Sequence, residues 1–328
     1  MSLLKTRIGY KPFSYPWSYD LWKKQNQVHW LPEEVPMSDD IRDWNDNLTP
    51  QEKHLLTQIF RFFVQADIEV SDNYMERLAT VFKATEVRMM LSVFASMEAT
   101  HIDAYSHLIE TIGLPEVEYS AFMDYSAMRD KHSYLTDFNV SNHEETAVTL
   151  AVFGGFVEGL QLFASFAMLM NFPRFNKMKG MSQIVTWSIR DESIHCEGII
   201  KLFRAFCDEI WGEVPARIRE RIVESCRKIV EMEDAFIDLA FEMGGVHGME
   251  PHDIKQYIRY IGDWRLRQLG FDPIYDVIEH PLPWLPPLLN GVEHANFFEA
   301  RATEYSKAAS KGTWQDTWAQ FDQKYGVG

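Results

Sequence analysis

Basic residues are scarce in this chain. Lysine and arginine total 32 against 48 acids, a formal net charge of -16. A balance so acidic argues against nucleic acid or an anionic membrane as partner, since both need clustered positive charge. Cysteine is also rare: Cys196, Cys207 and Cys226 show no C-x-x-C spacing and make an odd count. That excludes a disulfide framework and suits a reducing, cytoplasmic setting, with all three thiols read as core or bystander groups. The first residues, MSLLKTRIGYKPFSYPW, carry no apolar h-region and so no secretory signal. No repeat, low-complexity tract or Gly/Ser linker divides the chain. Nor is there a phosphate-cradling glycine loop, because GGFVEG sits inside a long apolar stretch and reads as helix.

What the sequence has is hydrophobic mass and helix punctuation. Of its 328 residues 46% are hydrophobic and 14% aromatic, enough for a large core. Thr49-Pro50-Gln51-Glu52 is a capping box with proline in the first turn, opening a helix past Asp67 toward the low eighties. Thr85 is the expected cap of the next helix, which stops at Gly113-Leu114-Pro115. Ser141 with Glu144 makes a second box, starting a helix that ends before Pro173. Helices are further expected over Met181–Trp211, Pro215–Gly244 and Pro251–Gly270, with irregular chain at His280–Leu289 and a short helix near Glu293–Ser306. Thr149–Phe172 is long enough to span a membrane, but Glu158 near its middle would cost about 2.5 to 3.5 kcal/mol there. A helix apolar all round also suits the centre of a bundle, where Glu158 becomes a buried acid in need of a partner. The fold expected is all-α, a bundle of long helices.

Chemistry concentrates in MEATHIDAY, Met97–Tyr105. At 100° per residue Glu98, His101 and Tyr105 fall within about a 60° arc of one helix face. Glu98-x-x-His101 recurs as Glu192-x-x-His195, and no other E-x-x-H occurs. Inward Glu-x-x-His pairs are the ligand motif of carboxylate-bridged dimetal bundles. Two more apolar helices each offer one acid, Asp67 in RFFVQADIEV and Glu158 in GGFVEGLQL. Asp67 is preferred to Glu69 because Phe60, Phe63, Val70 and Tyr74 share its face. Four uncompensated buried carboxylates would protonate or unfold the bundle, whereas two divalent cations neutralise them. Oxygen-rich ligation with two imidazoles favours iron or manganese over a thiolate zinc site. Tyr105, one turn past His101, is either a packed phenol or an oxidisable one.

These residues, taken with HWLPEEV (His29–Val35), LTPQEKH (Leu48–His54), VEGLQ (Val157–Gln161), RDESIH (Arg190–His195) and NFFEARATEYSKA from Asn296, resemble the radical-generating small (beta) subunit of class I ribonucleotide reductase. The resemblance runs from about Gly9 to Ser306. It implies a ferritin-like helical bundle over 1–308 with a dinuclear metal site in its core, two ions per chain, iron and/or manganese. By motif it makes Asp67, Glu98, His101, Glu158, Glu192 and His195 the ligands and Tyr105 the radical host, with Leu162, Phe166 and Ser188 lining its pocket. It further implies that Trp30 and Asp191 link the site to the surface, and that Tyr305 relays the radical to the large (alpha) subunit, which reduces ribonucleotides to deoxyribonucleotides. A homodimer and an activating flavoprotein are further partners of this reading. The tail, 309–328, matches no family ending, yet Trp314, Trp318, Phe321 and Tyr325 are spaced four, three and four, one helix face suited to docking on the large subunit or folding back on the bundle. A self-contained dimetal oxidase or hydroxylase on the same bundle is the alternative, ahead of metal storage and a metal-free structural bundle.

Overall fold

Helix α1 (Pro16–Gln27) opens with proline in its first turn, and the short α2 (Ser38–Arg42) follows. At the start of α3 (Pro50–Asp72) Thr49 Oγ1 accepts from Glu52 N–H at 3.2 Å, and Glu52 Oε2 accepts from Thr49 N–H at 2.8 Å. The chain then widens into a π-helical turn, Asn73–Leu78, before a last α turn, α4 (Ala79–Val81). The structure is a computed structural model and describes residues 2–289. The short helix expected at 293–306, Tyr305 and the whole tail stripe lie outside the described residues. One compact unit covers Met1–Leu282; of Pro283–Gly328, residues 285–289 are helical.

Two expected caps move by one residue. In α5 (Thr85–Thr111) Thr85 is already helical and Ala84 holds the cap without a side-chain bond. The backbone N–H groups of Lys83 and Ala84 donate to the Leu3 carbonyl, so the N-terminal segment fixes the entry instead. After α6 (Ser126–Thr136), α7 (His143–Val152) is capped by Asn142, whose Oδ1 accepts from Glu144 and Glu145 N–H at 2.9 and 3.1 Å. Ser141, one residue further out, instead donates its hydroxyl to Asn139 Oδ1 at 2.6 Å. Neither α1 nor α6 was anticipated, since both are polar and lack a side-chain cap.

The apolar helix is not uniform. It passes from α7 through a nine-residue π-helical segment, Phe153–Gln161, into α8 (Leu162–Leu169), and Pro173 falls in a terminal 3-10 turn. Its most apolar window is 100% buried inside the protein, so it is a core helix and not a membrane span. Close packing requires glycine here: a Cβ on Gly154 would lie 2.5 Å from Ile199 Cγ2, and one on Gly159 2.6 Å from Arg265 Nε. Helices α9 (Lys179–Trp211), α10 (Ala216–Ala240) and α11 (Pro251–Leu269, stopped by Gly270 at φ +92°) all pack on this segment. Helix α9 is anchored by acids at its N-terminus, with Asp40 accepting from Gly180 and Met181 N–H and Asp43 from Met178 N–H. Helices α3 and α5 pair, and α5 meets α9, so four helical segments enclose one core. The three thiols are free and buried, and burial pushes those of Cys207 and Cys226 up to about 12, which leaves them unreactive.

Candidate metal centre

Each of the four segments lining that core delivers part of one polar cluster. Helix α3 brings Asp67, α5 brings Glu98 and His101 three residues apart on its inner face, the π-helical segment brings Glu158, and α9 brings Glu192 and His195. All six are buried, with Glu98, Glu158, Glu192 and His195 at 0% exposure. Glu69, the alternative to Asp67, turns away and pairs with His132 nearer the surface. The phase difference between residues 67 and 69 on a helix decides this, as the apolar stripe predicts.

His101 Nδ1 lies 3.3 Å from Glu98 Oε2 and 3.1 Å from Glu192 Oε1. His195 Nδ1 lies 2.8 Å from Glu98 Oε1 and 3.4 Å from Glu192 Oε2. Two overlapping triads each bring one donor atom per residue within 4.8 Å, Glu98–His101–Glu192 and Glu158–Glu192–His195, an arrangement that could hold a metal ion in each. Glu192 belongs to both. Asp67 Oδ2, Glu98 Oε1, Glu158 Oε2, both Glu192 oxygens, His101 Nε2 and both His195 nitrogens make no hydrogen bond among the described residues, although charge contacts join several of them. Buried polar atoms left so are costly, and in number they mark a place built for a ligand.

Electrostatics agree with the donor chemistry. Burial pushes the Asp67 and Glu158 carboxyls well up, with the charges of Glu98 and Glu192 adding to it. Burial would depress both imidazoles, but the adjoining carboxylates win and raise His101 and His195. Burial likewise opposes ionisation of Glu98, yet the two imidazoles hold it below the usual carboxylate range. Protons thus stand where positive charge is needed, and the same donor set fits two divalent cations in their stead.

A second line of contacts runs outward from His101. Its Nε2 is 3.5 Å from Asp191 Oδ2, the oxygen that accepts from Trp30 Nε1–H at 2.7 Å. Asp191 Oδ1 accepts from the Gln25 amide at 3.0 Å and from the Arg190 guanidinium at 3.2 Å. Burial would raise this carboxyl, but His101, Arg190 and Trp30 together keep it low. Trp30 packs on the half-buried Trp187, with ring centroids 5.0 Å apart. On the opposite flank Tyr105 is buried against Phe63, 4.4 Å between centroids, which in turn meets Phe166, and Leu162 is buried. The Tyr105 hydroxyl donates to Ser188 Oγ at 3.0 Å, and burial, then Asp67, pushes its pKa far up, so it stays a neutral phenol.

Sequence reasoning missed two partners. Gln25 lies on the unanticipated α1, and no pattern marked it. Tyr74 was seen only as part of the inward stripe, yet its hydroxyl donates to Glu158 Oε1 at 2.6 Å. The signal available was its phase, seven residues after Asp67 and so on the same face.

Comparison with known proteins adds four likenesses. The family model for "Ribonucleotide reductase, small chain" matches residues 7–281. The probable ribonucleoside-diphosphate reductase small subunit 376L of Invertebrate iridescent virus 6 is 42% identical, over 97% of this chain and 99% of that protein. Its counterpart 048L from Invertebrate iridescent virus 3 is 44% identical, over 96% and 88%. Among solved structures, the dimanganese(II) NrdF of Streptococcus sanguinis superposes with a TM-score of 0.73 at 19% identity, over 87% of this chain and 98% of that one, a likeness of fold.

Proposed function

This chain belongs to the ribonucleotide reductase small-chain family, and on that premise we propose that Asp67, Glu98, His101, Glu158, Glu192 and His195 hold two metal ions, iron and/or manganese, beside Tyr105 as radical host. Small subunits of this family generate the radical and work with a large subunit, typically as dimers. The observation that carries the reading is the convergence of Glu98, His101, Glu158, Glu192 and His195, all buried, on two adjoining groups that share Glu192, with the buried Asp67 close enough to feel the charges of Glu98, His101, Glu192 and His195. When bound, the metal pair supplies the redox chemistry that generates the radical.

The residues do the rest by placement. Asp191 faces His101 Nε2, so it can hold that N–H and leave Nδ1 as the lone pair turned toward Glu98 and Glu192. Tyr74 accounts for one oxygen of Glu158 and leaves Oε2 to the site. Ser188 Oγ holds the Tyr105 hydrogen and itself donates to the Ile184 carbonyl at 3.1 Å, while Phe63 and Phe166 exclude water. Through Asp191 the site reaches Trp30, and we assign that pair to radical transfer. Tyr305 is the proposed relay to the large subunit, and 309–328, beyond the 1–308 domain, the proposed docking segment. A flavoprotein activator and a cytoplasmic setting belong to the same proposal.

The alternative of a self-contained oxidase needs room for an organic substrate. The cavity bordered by Phe62, Ala66, Val157 and Gln161, neighbours of Asp67 and Glu158, offers about 10 Å³, the room of one water. The deciding experiment reconstitutes the protein with iron(II) and manganese(II) separately and combines metal analysis with electron paramagnetic resonance. Two ions per chain, a tyrosyl signal lost in Tyr105→Phe, and ribonucleotide reduction only with the large subunit are expected. Turnover by this chain alone would overturn the division of labour.

A further inference from the structure

We infer that Tyr74 is a positioning residue for this centre: its hydroxyl commits Glu158 Oε1 to the protein and so makes Glu158 a ligand through Oε2 alone. The inference rests on the metal reading above and adds a residue to it. Tyr74 is 0% exposed, and its phenol donates to Glu158 Oε1 at 2.6 Å. Glu158 Oε2 has no hydrogen bond among the described residues and belongs to the carboxylate that groups with Glu192 and His195. One oxygen is therefore spoken for and one is left open.

The ring is held as firmly as the hydroxyl. Its edge meets Phe94 at 5.8 Å and 65°, and the His195 imidazole at 5.9 Å and 79°. Phe94 in turn lies against His195 with centroids 4.4 Å apart. Tyr74 thus touches two members of one triad, Glu158 through its hydroxyl and His195 through its ring. Both bonded partners stand on π-helical turns, Tyr74 in Asn73–Leu78 and Glu158 in Phe153–Gln161. Such wide turns are uncommon and gather at functional sites.

A buried tyrosine that merely satisfies its hydroxyl is the plainer reading. Against it stands the contrast with Tyr105, which is just as buried and finds a serine, leaving every candidate ligand free. Tyr74 instead takes half of the only acid that the π-helical segment contributes. A phenol donating to a carboxylate withdraws charge from it and bars it from turning, the two effects by which outer partners tune a metal ligand.

Tyr74→Phe keeps the ring contacts and removes only the donor. In full-length protein, manganese(II) and iron(II) affinities are measured by chelator competition, the manganese(II) resonance spectrum is recorded, and the metal-stripped fold is followed by circular dichroism. Expected are a metal-stripped protein that still unfolds cooperatively, with its melting curve lowered by no more than the loss of one buried hydrogen bond, one ion of the two bound about 10 to 100-fold more weakly, and an altered manganese spectrum. Two ions bound as in the parent, with the same spectrum, would overturn the inference while leaving the metal reading intact. Failure of the parent to bind two ions would overturn both. Should Tyr74→Phe not fold, fluorotyrosine at position 74 keeps the shape and strengthens the donor; a graded change in the manganese spectrum is then expected, and no change refutes the role.

Discussion

Asp191 offers the sharpest separation of structural from functional roles. Removing its carboxylate in Asp191→Ala strips the acceptor from the Trp30 indole N–H and the Gln25 amide, and the neighbour from His101 Nε2, all three buried. Arg190, with a quarter of its side chain exposed, turns to water and loses little. A buried donor left unmade costs roughly 1 to 3 kcal/mol. The two hydrogen-bonded donors, Trp30 and Gln25, partly relieved by a water in the vacated space, give about 2 to 4 kcal/mol, a large share of the roughly 5 to 15 kcal/mol that keeps a domain folded. Asp191→Asn should behave differently. Its oxygen can still accept from Trp30, and its amide can donate to Gln25 Oε1, which has no hydrogen bond among the described residues, once the Gln25 amide turns over. The cost should fall to about 1 to 2 kcal/mol, that of exchanging charge-assisted bonds for neutral ones. Denaturant unfolding of the metal-stripped proteins, with equal m-values as the control, measures both. Ribonucleotide reduction with the large subunit should drop about 10 to 100-fold even in the folded Asn variant, because the carboxylate that orients His101 has lost its charge. Equal destabilisation by Asn and Ala, or an Ala variant within about 1 kcal/mol of the parent, would refute the reasoning.

Other perturbations test other levels of the structure. Tyr105→Phe should abolish the tyrosyl resonance with a stability change of about 1 kcal/mol or less, since Ser188 keeps its bond to the Ile184 carbonyl; a surviving signal would place the radical elsewhere. Gly154→Ala drives a Cβ to 2.5 Å from Ile199 and should cost about 1 to 3 kcal/mol by overpacking, read by thermal unfolding; an unshifted melting temperature would show that the π-helical segment yields freely. The third concerns acid. Glu209 accepts from Leu3 N–H at 2.8 Å and Tyr15 Oη–H at 2.9 Å, and although burial opposes it, the Leu3 bond leads in holding its carboxyl below the ordinary 4.5. A depressed carboxyl lends stability that is full above 4.5 and lost as pH falls through the folded value. The protection of the Leu3 amide, its exchange rate relative to that of a free chain at the same pH, should therefore fall below that range in the parent, and at neutral pH already in Glu209→Gln.

How far the sequence could be read depended on whether a residue's helical phase was visible. Glu98, His101, Glu192 and His195 sit on regular α-helices, where a spacing of three states a shared face, and they meet in space as that spacing predicts. Asp67 and Glu69 were separable for the same reason, because Phe60, Phe63 and Val70 give their helix a phase, and all three of those are buried. The Thr49 box worked because a cap and its reciprocal acid lie within four residues. Ser141 failed because a serine and an asparagine stood side by side, and it is the Asn142 oxygen that meets the Glu144 and Glu145 N–H groups while Ser141 bonds to Asn139.

Glu158 marks the boundary of that method. The run around it is buried on every side, so no exposed face sets its phase, and the nine π-helical residues would have broken any phase assigned from a regular helix. Burial was readable from composition, and the need for a partner followed from the cost of an unpaired buried acid. Identity was not: Tyr74 is 84 positions away and on a wide turn of its own. The packing of α3 against α5 and against the Glu158 segment itself brings the two together. Asp67 and the two Glu-x-x-His pairs are thus written in local periodicity, whereas the bond that aims Glu158 is fixed by tertiary contact, and a hydroxyl deletion at position 74 tests it.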